Sequence, residues 1–220
     1  MHADVRSAAA SAEVDGGGYA KGRARRRAII EIAAQQFAQR GFVSATILEI
    51  AAACGISRAG LLHHFPDKAA LLQAVLEDRD FQDHHWFTPY IRIRGGIGIL
   101  RGMVDLAEHN RQQPGLVELF ARLSIEATDP DHPANGYFRE RYDRVRAGTA
   151  QALRSAARAG YLRPGIDPDK ASVCLTAVMD GLQVQWLLDD RIDMAQHLRP
   201  AILELLTAEG AAAFGAAVPT

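Results

Sequence analysis

The chain reads as all-α: an N-terminal three-helix domain with a helix-turn-helix, followed by a larger helical domain. Three observations predict this. Apolar residues recur at helical intervals through most of the 220 residues, and no segment alternates apolar and polar side chains as a half-buried strand does. In addition, two short helical stretches with clear start and stop signals meet at Gly55.

Residues 1–20 are expected to form a disordered tail, being small, unpatterned and carrying the run Gly16-Gly17-Gly18. From Ala24 the pattern turns helical. Ile29, Ile32, Ala33 and Phe37 share one face, and Arg40-Gly41 supplies a basic last turn with a glycine stop. Thr46-Ile47-Leu48-Glu49 spells a capping box, in which the threonine hydroxyl accepts from the Glu49 amide and the glutamate reaches back. Ile47, Ile50, Ala51 and Cys54 form the inward face of that short helix, and Gly55 ends it by entering the left-handed region at no steric cost. Ser57 caps a second short helix from Arg58 to about Phe65, with Leu61 and Phe65 inward. Ala51, four residues before Gly55, is small enough for the two helices to cross closely. Pro66 stops the second helix, Asp67 caps again, and Lys68 opens a long helix through Leu71, Leu72, Val75 and Leu76.

Turn signals then fall at Thr88-Pro89, Gly95-Gly96, Pro114-Gly115, Asp129 to Pro133, Gly160 to Pro168 and Asp189 to Asp193. They predict helices near 97–112, 115–127, 134–159, 168–188 and 194–208, the last with Pro200 inside it. The domains expected are 21–68 for the helix-turn-helix, 68–87 for a linking helix, and 88–210 for the larger helical domain. A flexible tail is expected over 211–220.

The net charge of −1 conceals an asymmetry: residues 21–68 carry eight bases against three acids, and residues 69–220 carry sixteen bases against twenty acids. A basic head on an acidic body is the electrostatic footprint of a nucleic-acid-binding module attached to something else. No apolar run approaches the ~18–20 residues of a membrane span, and no apolar leader opens the chain, so a cytoplasmic protein is expected. Cys54 and Cys174 lie in apolar stretches without metal-ligand spacing and are expected to fill core volume as thiols. A nucleophile elbow, a phosphate-cradling glycine loop and an HExxH pair are all missing, so no enzyme, cofactor or metal is expected. His84 and His85 are adjacent and point to different helix faces, which disfavours a shared metal.

The stretch from Gly41 to Leu72 resembles the TetR family of bacterial regulators. It does so in Gly41-Phe42, Thr46, Ile50-Ala51, Gly55-Ile56-Ser57, Leu61, His64-Phe65-Pro66-Asp67-Lys68 and Leu71-Leu72. The resemblance implies a homodimer that places the second short helix of each subunit in the major groove of a palindromic operator. It also implies a small-molecule effector bound in the C-terminal domain, with release of double-stranded operator DNA as the outcome. Repression is the expected output; an activator of the same fold is the alternative, and an all-helical enzyme a remote one.

On that resemblance Thr46 and Lys68 sit at helix starts where they would hold phosphates, and Ser57, Arg58, Ala59, Gly60 and His63 lie on or near the reading helix. Arg58 is the candidate for a bidentate contact to guanine. Arg25 and Arg26, in the basic run Arg23 to Arg27, would track the backbone or enter the minor groove, and His64 is expected to face the packed side. Leu62 departs from the family, which very often has a tyrosine there whose hydroxyl reaches a phosphate.

Effector contacts are expected from Phe81, Trp86, Phe87, Met103, His109, Phe120, Tyr137, Met179 and Gln183. Asp180-Gly181-Leu182-Gln183 with Trp186-Leu187-Leu188 resembles the dimerising helix of many members. Gly181, Leu182, Gln185, Trp186, Leu198, Ile202 and Leu205 are therefore expected at the dimer interface.

Overall fold

A computed structural model describes the backbone of residues 5–217 and the side chains of residues 21–217. Among the described residues ten α-helices follow one another: α1 Val5–Ser44, α2 Ile47–Ala53, α3 Arg58–His64, α4 Lys68–Ile91, α5 Ile97–Asn110, α6 Pro114–Glu126, α7 Asn135–Arg158, α8 Pro168–Leu188, α9 Met194–Leu203 and α10 Ala208–Ala216. The only extended pairing among the described residues is a single antiparallel bridge between Leu162 and Leu206. Two compact units divide between Leu76 and Glu77, inside α4 and within the stretch 68–87 expected as a linking helix.

The first unit follows its cap signals closely. α1 breaks at Gly41, whose φ of 75° is open to glycine without a Cβ clash. The Thr46 side chain accepts from the Glu49 amide, and the Glu49 carboxylate accepts from the Thr46 amide in return, closing the capping box of α2. Gly55, with φ of 64°, turns the chain into Ser57, whose hydroxyl accepts from the Gly60 amide at 3.0 Å to start α3. The Asp67 carboxylate then caps α4 through the Ala70 amide at 2.7 Å. Ile29, Ala33 and Phe37 from α1, Ile50 and Ala51 from α2, Leu61 from α3, and Leu71, Leu72 and Leu76 from α4 form one buried core. Helical backbone also covers residues 5–20, where a disordered tail is expected. The alanines at 8, 9, 10 and 12 favour a helix that the three glycines oppose. Residues 1–4 lie outside the described residues.

The second unit centres on α5, α7, α8 and α9. Ile97, Leu100 and Val104 of α5 meet Leu153 and Ala156 of α7, Leu175, Leu182 and Trp186 of α8, and Met194, Leu198 and Ile202 of α9. Glycines let α5 come in closely. A Cβ at Gly96 would overlap the carbonyl oxygen of Ala152, one at Gly98 the carbonyl oxygen of Tyr90, and one at Gly102 would press on the Phe87 ring.

Four expectations are corrected. The break at Thr88-Pro89 does not occur; α4 continues to Ile91, because Pro89 sits in the last turn where little helix remains to lose, and the Thr88 hydroxyl bonds back to the His84 carbonyl. The tail after residue 210 is instead α10, capped by Thr207 and anchored by Phe214, which is 1% exposed. Burying that ring contributes about 2–3 kcal/mol and holds the segment; residues 218–220 lie outside the described residues. Cys54 is buried as expected, but Cys174 is exposed on the outer side of α8. Finally, α8 is long and apolar enough by length and composition to cross a membrane, which the sequence pattern did not suggest; Leu175, Leu182 and Trp186 along it are buried in the core.

Candidate nucleic-acid interface and effector domain

α3 carries the residues expected to read DNA. Leu61 is buried, which fixes the opposite side outward: Ser57, Arg58, Ala59 and His63 are exposed, and Gly60 and Leu62 are half-buried. Arg58 makes no hydrogen bond or ion pair with the described residues, so its guanidinium fork is uncommitted. Among the described residues His63 meets only the ring of His64, at 5.6 Å, while His64 is half-buried.

Other residues expected on DNA are engaged within the unit. Arg25 donates to the Cys54 carbonyl at 3.0 Å, and the Arg26 guanidinium lies 4.8 Å above the Phe65 ring. These contacts tie the basic run of α1 to the end of α2 and the end of α3 rather than leaving it free. The Thr46 hydroxyl accepts from the Glu49 amide and donates to the Glu49 carboxylate at 2.7 Å. That carboxylate also takes Arg40 at 2.5 Å. The bonds from Thr46, and the Arg40 charge behind them, hold the Glu49 pKa below the usual carboxylate range. Lys68 points inward, to carbonyls of the α1–α2 corner.

In the second unit the residues expected around an effector separate into two groups. Trp86 stacks on His109 at 4.4 Å and donates to the Gly102 carbonyl, with Phe87 half-buried and Met103 buried nearby on the α4–α5 seam. Phe120 and Tyr137 belong to a second group. The guanidinium groups of Arg79 and Arg141 lie 5.9 and 5.1 Å from the Phe120 ring, and the Tyr137 hydroxyl donates to Asp80 at 2.9 Å. Met179 and Gln183 are half-buried on α8. Phe81 joins neither group: it is 63% exposed and rests on His85.

Sequence reasoning missed the polar network that joins α4 to α7. Arg141 binds both Asp80 and Asp83, Arg144 binds Asp80 at 2.5 Å, and Arg79 binds Asp83 at 3.0 Å and Asn110 at 3.2 Å. Burial pushes the Arg79 pKa down against the pull of Asp83, and burial with the Asp80 bond pushes the Tyr137 phenol up. Nearby, Tyr142 donates to Asp180 at 2.9 Å. Burial and the Asp180 carboxylate push the phenol up to about 12, while burial raises the Asp180 carboxyl against the opposing effects of Tyr142 and Arg141. Apart from Arg79 with Asp83, one helical turn apart, no sequence signal pairs these residues, because the partners stand 31 to 64 positions apart.

The expected dimer surface is also revised. Leu182, Trp186, Leu198 and Ile202 are buried within one chain, and Leu205 is half-buried against the same core. Gly181 is half-buried with open space where a Cβ would stand, and Gln185 is exposed. Around them Cys174, Ala177, Val178, Val184 and Leu188 form an exposed stripe on α8, Leu188 at 85%. The sequence holds this stripe at helical spacing, but a second apolar stripe on the inner side of the same helix masks it.

Comparison with known proteins agrees with this geometry. Residues 29–75 match the model for bacterial regulatory proteins of the tetR family, and residues 106–209 match the C-terminal model of BetI-type transcriptional repressors. The HTH-type transcriptional repressor Rv1474c of Mycobacterium tuberculosis is 30% identical over 159 residues, covering 72% of this chain and 80% of that protein. The HTH-type transcriptional regulator TtgR of Pseudomonas putida is 28% identical over 185 residues, covering 77% and 83%. A transcriptional regulator from Saccharomonospora viridis, solved in complex with choline, is 26% identical with a TM-score of 0.71, covering 83% of this chain and 97% of that one. A helix-turn-helix with an open reading helix on an all-helical body, matched along both units, makes this chain a member of the TetR family of bacterial transcriptional regulators.

Proposed function

We propose that the chain represses transcription as a homodimer, placing two copies of α3 in adjacent major grooves of a palindromic operator and releasing them when a small molecule binds the second unit. The observation that carries the reading is the exposed face of α3, where Arg58 stands uncommitted between Ser57, Ala59 and His63. A guanidinium fork free of partners among the described residues, at the start of a reading helix, suits the paired acceptors of guanine. The exposed α8 stripe supports the dimer, since a second copy would bury Val178, Val184 and Leu188 around the open Gly181. Names given to relatives, repressors and regulators among them, favour the same output.

Sedimentation should give twice the 23.9 kDa chain mass, and footprinting on the upstream DNA of its own gene should show two-fold symmetric protection. Val184→Arg with Leu188→Arg should yield folded monomers with weakened operator binding. A stable wild-type monomer protecting one asymmetric half-site overturns the reading. Release is read by operator anisotropy across a small-molecule panel, where a coupling of about 1–3 kcal/mol is enough to free the operator several-fold.

A further inference from the structure

Lys68, the first residue of α4, has its ammonium nitrogen 2.7 Å from the Phe42 carbonyl oxygen, 3.2 Å from that of Val43 and 3.0 Å from that of Ala45. The Phe42 ring lies beneath it, 4.4 Å from nitrogen to centroid. An ammonium carries three hydrogens and no acceptor, so three carbonyls match its donor capacity. Those carbonyls close α1 and lead into α2, where helical partners run out and the negative end of the helix dipole favours a cation. Phe42 and Ala45 are themselves buried, so the corner is part of the packed unit.

We infer that Lys68 is a positioning residue of the reading head, tying the α1–α2 corner to the start of α4, and not the phosphate contact that its place in the family motif implies. The inference rests on the DNA-reading role proposed above. The corner leads directly into Thr46 and α2, and α2 crosses α3, so the tie sets how α3 is held. A lysine turned to phosphate would have to give up these carbonyls, and water would have to replace it there.

The sequence contains only three lysines, Lys21, Lys68 and Lys170, which makes a direct test on the wild-type protein simple. In competitive amine labelling followed by mass spectrometry, Lys68 should react about tenfold or more slowly than the exposed Lys170, because its nitrogen is engaged by three carbonyls and lies against the Phe42 ring. Adding operator DNA should leave that rate unchanged. Fast labelling that only DNA suppresses overturns the inference.

A variant extends the test. Lys68→Met, checked as folded by circular dichroism, should lose about tenfold or more in operator affinity, keep random-DNA affinity within about twofold, and keep the salt slope. A parallel loss on both DNAs, with a slope shallower by about 0.9 for each phosphate released, shows a phosphate contact and overturns the inference. Unchanged operator affinity in the folded variant shows that the tie positions nothing, and overturns it too. If Lys68→Met does not fold, the wild-type labelling decides alone. If the wild-type protein binds no operator, the DNA-reading role fails, while the labelling of free protein still tests the tie.

Discussion

The two units treat their polar groups differently. In the first, the caps are local, Thr46 with Glu49, Ser57 with Gly60 and Asp67 with Ala70, and the long reaches of Arg25 and Lys68 end on backbone carbonyls, not on opposite charges. In the second, the strongest polar contacts span distant helices, as Arg141 does with Asp80 and Asp83 across 58 to 61 positions. Caps leave the outer surface of α3 free for a partner. Buried ion pairs instead hold helices in one arrangement, because separating them would strand charges in a poorly solvated place. A head that must present a surface and a body that must hold a shape use the same residue types in opposite ways.

The largest effect that could break this contrast is at Arg141. Arg141→Ala leaves Asp80 and Asp83 half-buried without their shared cation, and should cost about 3 kcal/mol in urea unfolding. A loss well under 1 kcal/mol would mean that the network is ordinary solvated surface. Next comes Arg58→Ala, expected to cost about 1–3 kcal/mol of operator affinity at one base pair per half-site while leaving the unfolding midpoint in place. Equal weakening on every operator variant would remove its base-reading role. Thr46→Ala should cost about 1 kcal/mol of stability by opening the cap of α2, and a change confined to DNA binding would show that the hydroxyl serves the phosphate after all.

The smallest expected effect is at Asp180. Burial raises its pKa in the folded state, so the fold holds that proton more tightly than the unfolded chain does. Its contribution to stability is present at low pH and is lost as pH rises through the ordinary carboxylate range toward the raised value. Asp180→Asn should therefore raise Tm slightly at pH 7, with the gain closing as pH falls below that range. A lower Tm at pH 7 would show that the bond from Tyr142 outweighs the cost of burial.

What could be read from the sequence follows the same division. Caps and stops are written in neighbouring residues, so α2, α3 and the start of α4 could be placed almost to the residue. The helices of the second unit were legible in number and approximate span through α9, but α10 was not, because a segment of alanine and glycine gives no periodicity beyond Phe214. The exposed face of α3 was legible from Leu61 and its spacing. The inward turns of Lys68, Arg25 and Arg26 were not, since a long cation on a basic surface looks the same whether it reaches DNA or a carbonyl. The side of α8 that meets the core was misassigned because both of its stripes are apolar.

The seam along α5 has a consequence for how this domain can be probed. Experiments that rank residues by trimming side chains find importance where something can be removed. Gly96, Gly98 and Gly102 have nothing to trim, yet a methyl group at any of them would push into Ala152, Tyr90 or Phe87. An alanine scan that skips glycine would therefore pass over the tightest joint in the second unit. A scan that adds a methyl would find it at once, with the most conservative substitution available driving the helices apart.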